Sequence, residues 1–116
     1  MVKSYTAGNF RANVLENGRP VLVDFSAPGS RPCRILRPAL EDVADELGDM
    51  LDVGSVNVGV DGEIAAYYNI AAVPTMLLFV GGEPRGRLVG LQSCQEISET
   101  LMCTLGVEEI GYTSQQ

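Results

Sequence analysis

The run Val21-Leu22-Val23-Asp24-Phe25, followed at once by Ser26-Ala27-Pro28-Gly29, constrains this chain more than any other stretch. Apolar residues surrounding a single carboxylate read as a strand covered on both faces, which makes Asp24 a buried acid. Ala27-Pro28-Gly29 then breaks the strand. Ser30 falls where a helix N-cap belongs, its hydroxyl placed to accept the backbone N–H of Cys33. Pro32 sits in the first turn, where its missing N–H costs nothing. Cys33 lies at the positive end of the helix dipole. Pro38, a turn and a half further on, is expected to kink the helix.

A strand covered on both faces requires layers on both sides, and the rest of the chain supplies them. Val2 to Tyr5 reads as a short edge strand. Asn9 to Leu15 reads as a first helix with Phe10, Val14 and Leu15 on one face, ended by Asn17-Gly18. The long helix from Ser30 to about Leu47 carries an apolar stripe of Ile35, Leu36, Leu40, Val43, Ala44 and Leu47. Leu51 to Val60 alternates valines with small or polar residues, as a strand does. Glu63 to Tyr68 reads as a short helix, with Tyr68 and Ile70 closing over the sheet and Asn69 suited to a left-handed position. Met76 to Val80 is a second strand apolar on both faces. Gly81-Gly82 marks a hairpin into an antiparallel Arg85 to Val89, ended by Gly90. Ser93-Cys94-Gln95-Glu96 is a capping box opening a last helix through Ile97, Leu101 and Leu105. The order is βαβαβαββα.

At 116 residues the chain fits one domain, and a hydrophobic content of 46% supports a packed core. A net charge of −7 argues against a nucleic-acid binder, which needs clustered Lys and Arg on the phosphates. No apolar run reaches the roughly 20 residues that cross a bilayer, and Met1-Val2-Lys3-Ser4 lacks an apolar secretion core, so the expected location is the cytoplasm. Three scattered cysteines, Cys33, Cys94 and Cys103, suggest neither a disulfide framework nor a metal site. Cys94 and Cys103 stand on opposite faces of one helix, roughly 13 Å apart along its axis, too far to pair. Cys94 is expected in the core and Cys103 at the surface. The absence of histidine removes Ser-His and Cys-His catalysis.

The succession strand, Asp24, Ala27, a turn holding Pro32-Cys33, then helix and Pro38 resembles the thioredoxin family. That family writes the junction Val-Asp-Phe-Trp-Ala-x-Trp-Cys-Gly-Pro-Cys-Lys, with a proline shortly after. The chain keeps Val23, Asp24, Phe25, Ala27, Pro32, Cys33 and Pro38. It carries Ser26 and Gly29 in place of the tryptophans, Arg31 in place of the glycine, and Ser30 in place of the first cysteine. The resemblance extends to Val73-Pro74-Thr75 and to Gly81-Gly82-Glu83 before Arg87-Leu88-Val89-Gly90. It implies an α/β thioredoxin fold, a central mixed five-stranded sheet flanked by helices on both faces, over residues 1–105. Residues 106–116 then form a polar tail.

The resemblance also implies the site. The family's attacking thiol stands where Ser30 is and its resolving thiol where Cys33 is, while the acid matching Asp24 moves a proton for the resolver. The proline matching Pro74 is cis in the family and leaves the backbone before it free to pair with a substrate chain. The expected catalytic set is Ser30, Cys33 and Asp24. The expected substrate groove is Gly29, Arg31, Pro32, Val73, Pro74 and Gly90, with neither metal nor cofactor. Dithiol reduction needs one thiolate to attack and a second thiol to resolve, and an alcohol with no neighbouring base replaces neither. The chain is thus read as a member of a disulfide-oxidoreductase family, inactive or weak as written, whether by natural monothiol divergence or by a Cys-to-Ser change. The other reading of Ser30 is a plain helix cap. The family's usual lysine near the buried acid is replaced by Ser55, which favours a raised Asp24 pKa.

Arg31, Arg34 and Arg37 recur at helical spacing as a basic edge beside the turn. They read as a solvated face, or as a selector of acidic partners or glutathione. Protein disulfides or extended peptides, with a thioredoxin reductase or glutathione behind them, are the implied partners of a monomer. The rival reading is a redox-silent peptide-binding or scaffold module using the same groove.

Overall fold

The computed structural model describes residues 1–106. Its strands are β1 (Lys3–Tyr5), β2 (Val21–Ser26), β3 (Asp52–Asn57), β4 (Thr75–Val80) and β5 (Glu83–Val89). Its α-helices are α1 (Arg31–Leu47), α2 (Gly62–Tyr67) and α3 (Cys94–Leu105). One sheet holds the strands in the order β1-β3-β2-β4-β5, with β1, β3 and β2 mutually parallel and β4 and β5 antiparallel to their neighbours. This is the thioredoxin α/β fold, with the mixed five-stranded sheet that the sequence implies. The expected tail lies outside the described residues apart from Gly106.

The two faces of the sheet bury two separate cores. Under α1 and α3, Leu22, Val53, Met76 and Leu78 meet Leu36, Leu40, Val43, Ile97 and Leu101. On the other face Val21, Val23, Phe25, Leu77 and Phe79 meet Tyr5, Phe10, Val14 and Ile64. Alternate residues of β2 therefore serve opposite cores, as the period of two dictates. The ring of Tyr68 closes the second core, 5.1 Å from Phe79 and 6.1 Å from Phe10 between centroids. Asn69 takes its left-handed conformation just beyond α2, at φ 57°.

Several boundaries differ from the sequence expectation, each for a local reason. The first helix is a single π-type turn, Arg11–Leu15, closed by the Glu16 N–H donating to the Arg11 carbonyl at 2.8 Å. It still carries Phe10 and Val14 inward. Strand β3 stops at Asn57 because its neighbours stop: Tyr5 pairs Val56 and Ser26 pairs Asn57, with no strand residue beyond. Val60 consequently lies in a turn, 73% exposed. Ile35 leaves the expected stripe and is 50% exposed. The inward positions of α1 are Cys33, Leu36, Leu40, Val43, Ala44 and Leu47, and Ile35 points about 100° away from Leu36. Helix α1 remains one element through Pro38.

Candidate active site at the end of the central strands

Sheet register gathers three loops at one end of the molecule. Phe25 pairs Thr75, and Thr75 pairs Val89. The 26–30 turn therefore leaves the sheet where Val73-Pro74 enters it and where Gly90 departs. The Val73–Pro74 peptide is cis and Pro74 is buried. Gly90, at φ 86°, donates its N–H to the Pro74 carbonyl at 2.8 Å. Thr75 Oγ1 donates to the Ala72 carbonyl at 2.6 Å, so this segment is tied on both sides of the proline. Gly29, Arg31 and Pro32 are exposed, while Val73 and Gly90 are half-buried. The turn, the proline segment and Gly90 thus share one end, and Asp24 lies inside the fold behind them.

Ser30 occupies the N-cap of α1 with extended φ/ψ of −86° and 127°. Its backbone performs the cap: the Arg34 N–H donates to the Ser30 carbonyl at 3.2 Å, and the Ser30 N–H donates to Ala27 O at 3.0 Å. Its side chain makes no capping hydrogen bond, which corrects the sequence expectation of a hydroxyl accepting the Cys33 N–H. Cys33 is buried on the inner side of the first turn, where its Sγ accepts the Ala27 N–H at 3.5 Å.

Asp24 is 2% exposed, and its Oδ1 has no hydrogen-bond partner. Burial pushes its carboxyl up to about 7, and the positive charge of Arg37 opposes this only in part. Ser55 stands directly across from Asp24 in the register, so the neighbouring strand offers a hydroxyl where a cation would have lowered that value.

Beneath the turn lies a cavity of about 500 Å³ that sequence reasoning missed. Asp24, Ser26, Ser55 and Asn57 form its strand side. Helix α1 contributes Cys33, Arg34 and Arg37, and Lys3 closes the edge from β1. The signal was present in the spelling. Leu22-Asp24-Ser26 and Val53-Ser55-Asn57 each change from apolar to small and polar along the α1 side of their strands, and the parallel register sets those changes side by side. Of the basic edge, Arg34 and Arg37 line this cavity and Arg31 does not.

The remaining cysteines stand apart from this end. All three thiols are free. Cys103 is exposed, as expected. Cys94 packs against the core of Ile97 and Leu101 as expected, though only half-buried, and its thiol donates to Glu46 Oε1 at 3.7 Å. Burial and the Glu46 carboxylate raise its pKa. Among the described residues no group of His, Cys, Asp and Glu could hold a metal, and no helix is long and apolar enough to cross a membrane.

A thiol on the first turn of a helix, a buried acid behind it and a proline segment beside it define an α/β domain of the thiol–disulfide class. The chain belongs to the thioredoxin family, whose pattern, described as Thioredoxin, matches residues 1–102. It is 38% identical over 102 residues to a thioredoxin of Mycolicibacterium smegmatis, covering 83% of this chain and 91% of that one. A thioredoxin of Rickettsia prowazekii is 36% identical over 92 residues, 79% of this chain and 88% of its own. A bifunctional thioredoxin reductase/thioredoxin of Mycobacterium leprae is 41% identical over 85 residues. That match covers 73% of this chain and 19% of the longer protein, so the chain corresponds to about a fifth of it.

Proposed function

We propose that the chain serves thiol–disulfide chemistry on protein or small-thiol substrates, in a form where Ser30 has replaced the thiol that opens the reaction. The observation that carries this reading is the pair at the start of α1. Ser30 holds the N-cap with its hydroxyl outside the capping bond, and Cys33 lies buried three residues on. In dithiol reduction a thiolate attacks a substrate sulfur, a mixed disulfide forms and one substrate thiol leaves. The second thiol then attacks the mixed disulfide and releases the other half. Cys33 takes the second step in this reading, and an alcohol without a base does not perform the first. Arg31, Pro32, Gly29, Val73, Pro74 and Gly90 form the groove for an extended substrate, residues 1–105 are its folding unit, and the cytoplasm is its setting. The bifunctional relative joins a thioredoxin reductase to a thioredoxin by name, which supports a reductase of that kind as the electron donor.

The test is reduction of a protein disulfide by the chain and by Ser30→Cys. The chain is expected to give no turnover above background. The sulfur introduced by Ser30→Cys is expected to raise turnover at least a hundredfold, with Cys33 as its resolver. An inactive Ser30→Cys with native circular dichroism rejects this reading and leaves the redox-silent binding module in its place.

A further inference from the structure

The cavity under the 26–30 turn gathers charge of one sign in a chain dominated by the other. Lys3, Arg34 and Arg37 line it, three of only eight Lys and Arg in a chain whose net charge is −7. The local field there opposes that of the molecule as a whole. These cations are within reach of solvent. The Lys3 side chain is 53% exposed and that of Arg37 is 47% exposed, and each shares its charge with one carboxylate, Asp52 at 3.2 Å and Glu41 at 3.5 Å. Exposed pairs of this kind hold weakly and rearrange readily. Arg34 is exposed, donates to the Pro28 carbonyl at 3.3 Å and makes no ion pair among the described residues. Neutral donors line the same cavity: the hydroxyls of Ser26 and Ser55, and the amide N–H of Asn57, whose Oδ1 already accepts the Gly59 N–H at 2.9 Å.

The charge order of α1 points the same way. Its first two turns carry Arg31, Arg34 and Arg37, with no acid in the first turn, and its second half carries Glu41, Asp42, Asp45 and Glu46, with no base in the last turn. A helix favours acids at its start and bases at its end, so this order runs against the helix dipole and costs stability. An anion bound beside the basic start offsets that cost. Asp24 is the one carboxylate lining the cavity, and burial pushes it up to about 7, so at pH 6 it is mostly uncharged and repels an anion little.

We propose that this cavity binds a small phosphate-bearing anion, held by the charges of Lys3, Arg34 and Arg37 and by neutral hydrogen bonds from Ser26, Ser55 and Asn57. A phosphate suits this donor set better than a carboxylate does. It offers three strong acceptor oxygens where a carboxylate has two, and its second negative charge answers more than one cation. At about 500 Å³ the cavity falls in the size range of small-molecule sites, with room for more than a single phosphate group. Binding uses no sulfur and stands apart from the thiol–disulfide reading above.

The test follows the backbone amides of the full chain by heteronuclear NMR at pH 6 as inorganic pyrophosphate is added, with malonate at matched ionic strength as the carboxylate comparison. Saturable shifts are expected at Ser26, Arg34, Ser55 and Asn57, with a Kd of about 1 mM or below. Malonate is expected to bind at least tenfold more weakly. Arg34→Gln should weaken pyrophosphate binding about tenfold, the loss of one charge-assisted contact. Arg85→Gln removes the same charge from an exposed site on β5, at the opposite edge of the sheet from Lys3, and should change binding less than twofold. The same spectra report that both variants are folded. Shifts that do not saturate or that lie away from the cavity, equal effects of the two substitutions, or malonate binding as tight as pyrophosphate would overturn the proposal.

Discussion

Helices α1 and α3 both begin at a serine in extended conformation, and the two starts are finished in opposite ways. At α3, Ser93 Oγ accepts the Glu96 N–H at 3.0 Å and Glu96 Oε1 accepts the Ser93 N–H at 2.8 Å, a complete capping box. At α1, Ser30 makes no side-chain cap, and Asp24 on the preceding strand is buried with Oδ1 unpartnered. A serine closes one helix start with its side chain and leaves the other without a side-chain cap. Satisfied polar groups at a helix end serve stability, whereas unsatisfied ones kept at a cost mark a place where something else is meant to bind or react.

The largest stability effect of this contrast belongs to Asp24. Its folded pKa of about 7 lies above the ordinary 3.8, so the folded chain holds a proton that the unfolded chain releases. The sign follows: stability is fullest below the unfolded value, and it falls as pH rises toward 7 and beyond. Asp24→Asn removes that dependence. Urea unfolding should show the variant gaining on the parent by up to about 4 kcal/mol at pH 8, relative to the same difference at pH 3.5. A difference independent of pH would mean that Asp24 has a charge partner, and the contrast between the two helix starts would collapse.

The next effect compares the serines directly. Ser93→Ala should cost about 1 kcal/mol, because it removes the acceptor for the Glu96 N–H. Ser30→Ala should cost less than about 0.5 kcal/mol, since the backbone bonds at that cap do not involve the hydroxyl. Equal losses in chemical denaturation would restore Ser30 to the role of an ordinary cap. The smallest effect is expected from Glu96→Ala, a few tenths of a kcal/mol, through the lost bond to the Ser93 N–H and the lost charge at the helix start. Its measurement by the same unfolding curves would apportion the box between its two halves.

Much of the fold was legible because β2 and β4 are spelled as strands covered on both faces, and their length and punctuation admit few alternatives. The Gly81-Gly82 hairpin, with both residues at positive φ, and the Ser93 box were readable from local chemistry alone. The residues that the resemblance singled out, Asp24, Ser30, Cys33 and Pro74, lie toward one end of the sheet. What could not be read was the use of each group. Ile35 looked like core because it is apolar, and only the phase of α1 against the sheet turned it outward. Ser30 looked like a cap because serines at that position usually are, and only the geometry of the turn separated its hydroxyl from the Cys33 N–H.

The order of residues by itself determined the layering and the oxygen at position 30, since these follow from strand and helix periodicity and from the identity of one atom. The tertiary structure alone decided that the polar ends of β2 and β3 lie side by side under Arg34 and Arg37. That juxtaposition joins residues some thirty positions apart, and it depends on the register of two strands and the placement of a helix across them. A local pattern carries its own period but not its alignment with a distant one, so a cavity built from three elements appears only once they are packed.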